Sequence, residues 1–174
     1  MIELFKRYRA ALLFLIKFIA AYILLNVAYG GFVEFYDPKP DPVTMIVTAQ
    51  TSYLLDLFGA DTHTRVSEER PNVLLCQSSG KSILSVYEGC NGLNVVIIFL
   101  SFLVAFKLNS NLFWFVPLGI FMIHMSNLVR IALLYHVSIG LPNYSYFAHK
   151  YFFTASIFLV VFGLWFWWLK KLIT

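Results

Sequence analysis

The sequence predicts an all-α, polytopic integral membrane bundle of about four transmembrane helices, with an extracytoplasmic amphipathic helix and a small hairpin. Three observations predict it. Of the 174 residues, 60% are hydrophobic and 13% are charged. A soluble domain averages roughly 45–50% apolar and about 25% charged. The apolar residues gather in long runs, giving a mean hydropathy of +0.75. The basic residues cluster at the ends of those runs. The length suits one domain, residues 1–174. The net charge of +4 therefore reads as topology, and no nucleic-acid partner is expected. Two cysteines are too few for a disulfide framework.

A helix needs about 20 residues to cross the hydrocarbon core. The first run covers 10–32 and contains Lys17, which can snorkel to the near interface. It is too long for a signal peptide and ends in Tyr-Gly-Gly-Phe without an Ala-x-Ala-like site, so no cleavage is expected. Asp41-Pro42 then begins a helix well, with Asp as N-cap and Pro as the first helical residue. Val43, Ile46, Val47, Leu54, Leu57 and Phe58 recur at helical spacing, and Gly59 fits the position after the C-cap. Residues 42–58 thus read as an amphipathic helix resting on the outer leaflet or on the bundle. The polar stretch 60–71 reads as a loop. Residues 73–77 and 82–87 read as strands around Ser-Ser-Gly-Lys, a hairpin that delivers Glu88 and Cys90 to the membrane surface. The remaining spans are 90–106, slightly short, then 112–138 and 152–169.

Short flanks set the orientation. Lys6, Arg7 and Arg9 precede the first span. Lys107 lies between the second and third, and Lys170 and Lys171 follow the fourth. Four crossings put all of them on one side, which is then cytoplasmic. Both termini face inward, and 33–89 and 139–150 face outward. Eight of the nine acidic residues fall in 33–89.

The chemistry-bearing residues lie on that outer side. Cys90 sits in Glu88-Gly-Cys-Asn-Gly-Leu, directly before a span. Gly89 and Gly92 remove bulk on both sides, allowing another backbone to approach. A helix N-terminus there favours a thiolate. A disulfide to Cys76 is the structural alternative. Arg130 is a charge inside a span, which marks function by default. It lies about 27 Å along its helix from Leu112, near the outer boundary. His124, Asn127 and Arg130 are spaced three apart and form a polar stripe that must face protein or water. Arg130 can donate to an oxyanion, hold the thiolate, snorkel outward, or pair with Glu88. His149 lies at the mouth of the last span and is the natural general base. His136 is a reserve candidate, His124 suits a structural hydrogen bond, and His63 has no evident setting. No two histidines have i, i+4 spacing, so neither metal nor other cofactor is expected.

At these residues the chain resembles the exosortase/archaeosortase family of membrane cysteine transpeptidases, most closely the short exosortase F type. The matching pieces are Glu88-Gly-Cys90-Asn-Gly92-Leu before a span, Asn127-Leu-Val-Arg130 late in the next, and His149 before the last. Many members have Ser after the cysteine, where this chain has Asn91. The resemblance covers roughly residues 40–169. It implies Cys90, Arg130 and His149 as the catalytic set, with Glu88, Gly92 and Asn127 in support. It implies an enzyme of the cytoplasmic membrane that cleaves secreted cargo bearing a C-terminal motif, a transmembrane helix and a basic tail. The thiolate attacks at the motif, and an amine or water resolves the acyl-enzyme. Two other readings are a non-enzymatic subunit or chaperone of an export system, and a thiol–disulfide enzyme using Cys76 and Cys90.

Overall fold

A computed structural model describes residues 2–106 and 112–173, with side chains for 8–106 and 113–171. Lys107 and the side chains of Lys6 and Arg7 lie outside the described residues. The chain is mostly helical. Helix α1 is Ile2–Tyr36, and Pro38 and Pro40 follow it, neither of which can continue a helix. Helix α2 is Pro42–Leu57. Three antiparallel strands follow, β1 (Thr62–Val66), β2 (Leu74–Ser78) and β3 (Lys81–Val86), ordered β1-β2-β3. Helices α3 (Leu93–Ala105) and α4 (Leu112–Gly140) come next. Short helical turns over 142–152 then lead into α5 (Phe153–Ile173).

Three segments are long and apolar enough to cross a membrane: Tyr8–Tyr36, Phe113–Gly140 and Pro142–Lys171. Helix α3 has 13 residues. At 1.5 Å per residue it reaches about 20 Å, short of a hydrocarbon core of about 30 Å.

The side chains fix the relative direction of the helices. The Tyr29 hydroxyl, late in α1, donates to the carbonyl of Glu88. Phe14, early in α1, packs edge-on against Phe102 and Phe106 at the other end of α3. Phe115, early in α4, meets Trp168, late in α5. The long helices therefore alternate in direction. Arg9, Lys170 and Lys171 sit toward one end, and the sheet sits at the other.

Two buried clusters result. One joins α3, α4 and α5 through Phe99, Leu103, Phe115, Ile123, Val161 and Trp168. There Phe99 presses so closely on Gly119 that a Cβ would fall 2.2 Å from its ring. The other, at the sheet end, joins Val47, Leu55, Leu84, Val86, Leu128 and Tyr135.

Helix α2 starts as expected. The Asp41 carboxylate accepts from the N–H groups of Val43 and Thr44 at 2.9 and 3.0 Å. Its polarity is the surprise. The buried stripe is Thr44, Thr48, Thr51 and Ser52 with Val47 and Leu55. Met45, Ile46, Tyr53, Leu57 and Phe58 face outward. The hydroxyls of Thr48 and Thr51 donate to main-chain carbonyls one turn back, at 2.7 and 2.8 Å, so the threonines pack as apolar methyl groups.

The expected loop at 60–71 contains strand β1, so the hairpin is a three-stranded sheet. Only Thr62 of β1 is buried, its N–H and hydroxyl both bonded to Asp56 of α2. Four exposed residues in five gave β1 no apolar alternation to be read. The β2–β3 turn is Ser79-Gly80, both at positive φ (51° and 76°), as a tight two-residue hairpin requires.

Candidate active site

Strand β3 ends at Val86, and the chain passes through Tyr87 in extended conformation into one tight helical turn, Glu88–Cys90. The Cys90 N–H donates to the Tyr87 carbonyl at 2.7 Å and closes that turn. Gly92 follows at φ 84°, a conformation costly for any residue with a Cβ. A Cβ there would also lie 3.1 Å from the Asn127 side chain. The glycines therefore admit side chains, not another backbone: Asn127 against Gly92, and the Tyr87 ring against Gly89.

Arg130 and Asn127 reach the turn from α4. His149 comes from a π-helical turn, Ala148–Phe152, at the entrance to α5. Such turns are rare and concentrate at functional sites.

Four residues close a ring. Cys90 Sγ lies 3.8 Å from His149 Nε2. Arg130 Nη2 lies 3.3 Å from the same Nε2. Arg130 Nη1 donates to Asn127 Oδ1 at 3.1 Å. Asn127 Nδ2 donates to the Cys90 carbonyl at 2.9 Å, which closes the circuit. Cys90 is 5% exposed, Arg130 9% and Asn127 0%. Arg130 Nε is buried without a partner.

The ring constrains the protons. A guanidinium only donates, so Nε2 of His149 must present its lone pair to it. The imidazole is then neutral with its proton on Nδ1, and the same lone pair faces the thiol. No ion pair joins Arg130 to Glu88 among the described residues.

Burial pushes the Cys90 thiol above the ordinary cysteine range, and Glu88 adds to the rise. The Tyr87 main chain beside the sulfur and the Arg130 charge pull the other way. This corrects the expectation of a thiolate favoured by a helix N-terminus. Helix α3 begins only at Leu93, so Cys90 lies outside its first turn. Deprotonating a thiol raised in this way calls for a nearby base, and His149 is the one at hand.

No protein-family model, curated protein or solved structure matches the chain. The geometry therefore carries the functional argument.

The other histidines stand apart. His124 Nε2 bonds Gln50 Oε1 at 2.8 Å. His136 Nδ1 bonds the Ala132 carbonyl in its own helix at 2.9 Å. His63 lies 3.8 Å from Asp61, both exposed. Both cysteines are free, and Cys76 packs inside the sheet opposite Leu84. Among the described residues, no group of three His, Cys, Asp or Glu could hold a metal ion.

Sequence reading missed the frame around the turn. Asn91 is buried, and its Nδ2 donates to Tyr29 Oη at 2.9 Å and to Thr44 Oγ1 at 3.1 Å. Its Oδ1 accepts from the Leu93 N–H at 2.9 Å, a two-residue side-chain turn that leads into α3, whose N-cap is Gly92. One side chain thus ties α1, α2 and α3 together next to the cysteine. A signal was present: an Asn bonds readily to the backbone two residues on, so Asn-Gly just before an apolar helix marks a turn.

Proposed function

We propose that the chain is a membrane cysteine peptidase or transpeptidase that cleaves the C-terminal sorting signal of secreted proteins through an acyl-enzyme. The observation that carries the reading is the meeting of Cys90 Sγ, His149 Nε2 and Arg130 Nη2 at the end of a helical bundle. The motif resemblance around Glu88–Leu93, Asn127–Arg130 and His149 supports the same reading.

In the proposed reaction, His149 Nε2 takes the Cys90 proton. The thiolate attacks the carbonyl carbon of the scissile peptide bond. The carbonyl oxygen becomes an oxyanion, to which Arg130 is the nearest cationic donor. Collapse breaks the C–N bond, and the imidazolium returns the proton to the leaving amine. A thioester remains. An amine or water then attacks it, His149 accepts the incoming proton, and the thiol is restored. The Arg130 charge makes this workable. It stabilises the thiolate, and it opposes a lasting imidazolium, so the proton is handed on promptly.

We infer four crossings in the cytoplasmic membrane, both termini inside and Cys90 outside. Helix α3 crosses with the Glu88–Cys90 turn and Phe106 at its margins, where the bilayer thins to meet it. Arg9, Lys170 and Lys171 share the end away from the sheet, which suits the positive-inside rule. Secreted cargo would then lay its own helix beside the bundle, in lipid, with its motif at the outer interface. Reporter fusions after Lys107 and Thr174 are expected to read cytoplasmic, and one at Ser79 external. A cytoplasmic signal at Ser79 removes Cys90 from secreted cargo and ends the proposal.

The direct test is Cys90→Ser in cells carrying cargo with a motif, a transmembrane helix and a basic tail. Full-length cargo should accumulate while the variant is present at normal levels. Normal processing by Cys90→Ser would favour a non-enzymatic role in export.

A further inference from the structure

We propose that the outer edge of β3 is the docking strand for the cargo motif, which joins the sheet as a fourth strand, parallel to β3, and is led by it to Cys90. The inference rests on the cysteine-peptidase reading for its ligand and says how that ligand is held. Three observations carry it. The first is the strand's place. In the order β1-β2-β3, β3 is paired on one side only. Among the described residues, its main chain makes no hydrogen bond outside the sheet. An edge of this kind presents a row of N–H and C=O groups ready to pair with another chain. The second is access. Lys81, Ser82 and Ser85 are exposed, and the two serines line a surface groove with Arg65 and Gln77. The third is continuity. Tyr87 prolongs β3 in extended conformation (φ −138°, ψ 178°), and the next turn ends at Cys90.

Direction follows from the membrane. β3 runs from the Ser79-Gly80 turn to the Glu88–Cys90 turn, and α3 then enters the bundle. The proposed cargo has the same order: a secreted domain, a motif, then a helix that descends into lipid. Laid beside β3 with its scissile bond at Cys90, it must run the same way. An antiparallel strand would head away from the bilayer and would need a reversal before its helix. The residues before the scissile bond therefore lie along β3, and those after it lead into lipid. The six residues of β3 span about 20 Å at about 3.3 Å each, room for a short motif. Main-chain pairing supplies affinity, and alternate side chains supply specificity. One set shares the face of Ser82 and Ser85, which a bulge at Ile83 puts on the same side. The other set lies on the face where Leu84 and Val86 are packed with Leu128 and Ile131 of α4.

Disulfide cross-linking in membranes tests this. The full chain carries Cys90→Ser, which leaves cargo whole, and Ser85→Cys as the probe. Cys76 stays in place, since it is buried. The motif–helix–basic-tail cargo carries one cysteine, stepped through the residues before its helix. The yield should peak at one cargo position, fall at both neighbours and recover two residues away. Moving the probe to Ser82→Cys should shift the peak about two residues toward the cargo N-terminus. With Cys90 restored and neither probe present, proline stepped through the same residues should slow cleavage about tenfold at alternate positions, where it removes an N–H aimed at β3. A flat cross-linking profile overturns the proposal, and so does a peak that shifts toward the cargo C-terminus. Cross-linking of two copies through Ser85→Cys without cargo also overturns it, because a second copy then covers the edge. Cargo that the wild-type chain cleaves without either pattern leaves the peptidase reading standing and removes the docking strand. Cargo that cross-links in the pattern yet stays whole with the wild-type chain does the reverse. Cargo neither patterned nor cleaved overturns both.

Discussion

Replacing Arg130 by lysine is expected to slow cargo cleavage about as severely as replacing it by alanine. Lysine keeps the charge. It loses the planar fork, through which one nitrogen bonds Asn127 at 3.1 Å and the other reaches His149 at 3.3 Å. A single ammonium cannot hold both partners and still aim at an oxyanion. Removing one preorganised oxyanion donor costs about 10²–10³-fold in rate. Both variants should therefore fall by about two orders of magnitude, read as initial rates of cargo cleavage at equal protein. Normal turnover by Arg130→Lys would reduce the residue's role to charge balance. If Arg130→Ala were also silent while Cys90→Ala was dead, Arg130 would be a structural membrane arginine and the working unit a Cys–His pair.

Asn127 is expected to give the largest loss of stability at the site. It is fully buried and satisfied on both sides of its amide, by the Cys90 carbonyl and by Arg130. Asn127→Ala strands a buried carbonyl and a buried guanidinium N–H together. Each abandoned group costs about 1–3 kcal/mol, so a loss of about 3 kcal/mol is expected. Asn127→Asp is nearly the same shape and separates the two bonds. Its carboxylate accepts from Arg130 but offers no donor to the Cys90 carbonyl, and it brings a negative charge toward the thiol. The aspartate variant should alkylate at Cys90 more slowly than wild type, because a like charge disfavours the thiolate. Thermal unfolding in detergent reads the first effect and thiol labelling the second. An Asn127→Ala protein that melts with wild type and labels normally would show that the Cys90 turn holds itself.

Much of this arrangement was legible before the structure, and for local reasons. Asp41-Pro42 announces a helix start in two letters. Long apolar runs announce α1, α4 and α5. Arg130 stood out because a charge in such a run demands a partner. Cys90, Arg130 and His149 do meet, although they are spread over 60 residues. What escaped was whatever depends on a neighbour distant in sequence. β1 is polar on its face and is recognised by Ser52 and Asp56 of α2 and by β2. The stripe of α2 read as apolar because Thr48 and Thr51 look polar on paper, while their hydroxyls are spent one turn back. Asn91 read as a departure from a motif because its partners, Tyr29 and Thr44, come from two other helices. Tyr87 read as the last residue of a strand, since nothing local says that the ring turns back onto Gly89.

The inverted polarity of α2 makes the reactive centre sensitive to its solvent. A helix that shows Met45, Ile46, Tyr53 and Leu57 to its surroundings is at ease only among acyl chains or a good substitute. The same helix holds Thr44, which grips Asn91, the immediate neighbour of Cys90. A harsh detergent that loosened α2 would be felt at the sulfur one residue away, with Cys90, Arg130 and His149 all still in the chain. Solubilisation is therefore itself a variable of the chemistry. A preparation that is folded by its helix content, yet sluggish toward thiol reagents, points first to lost lipid.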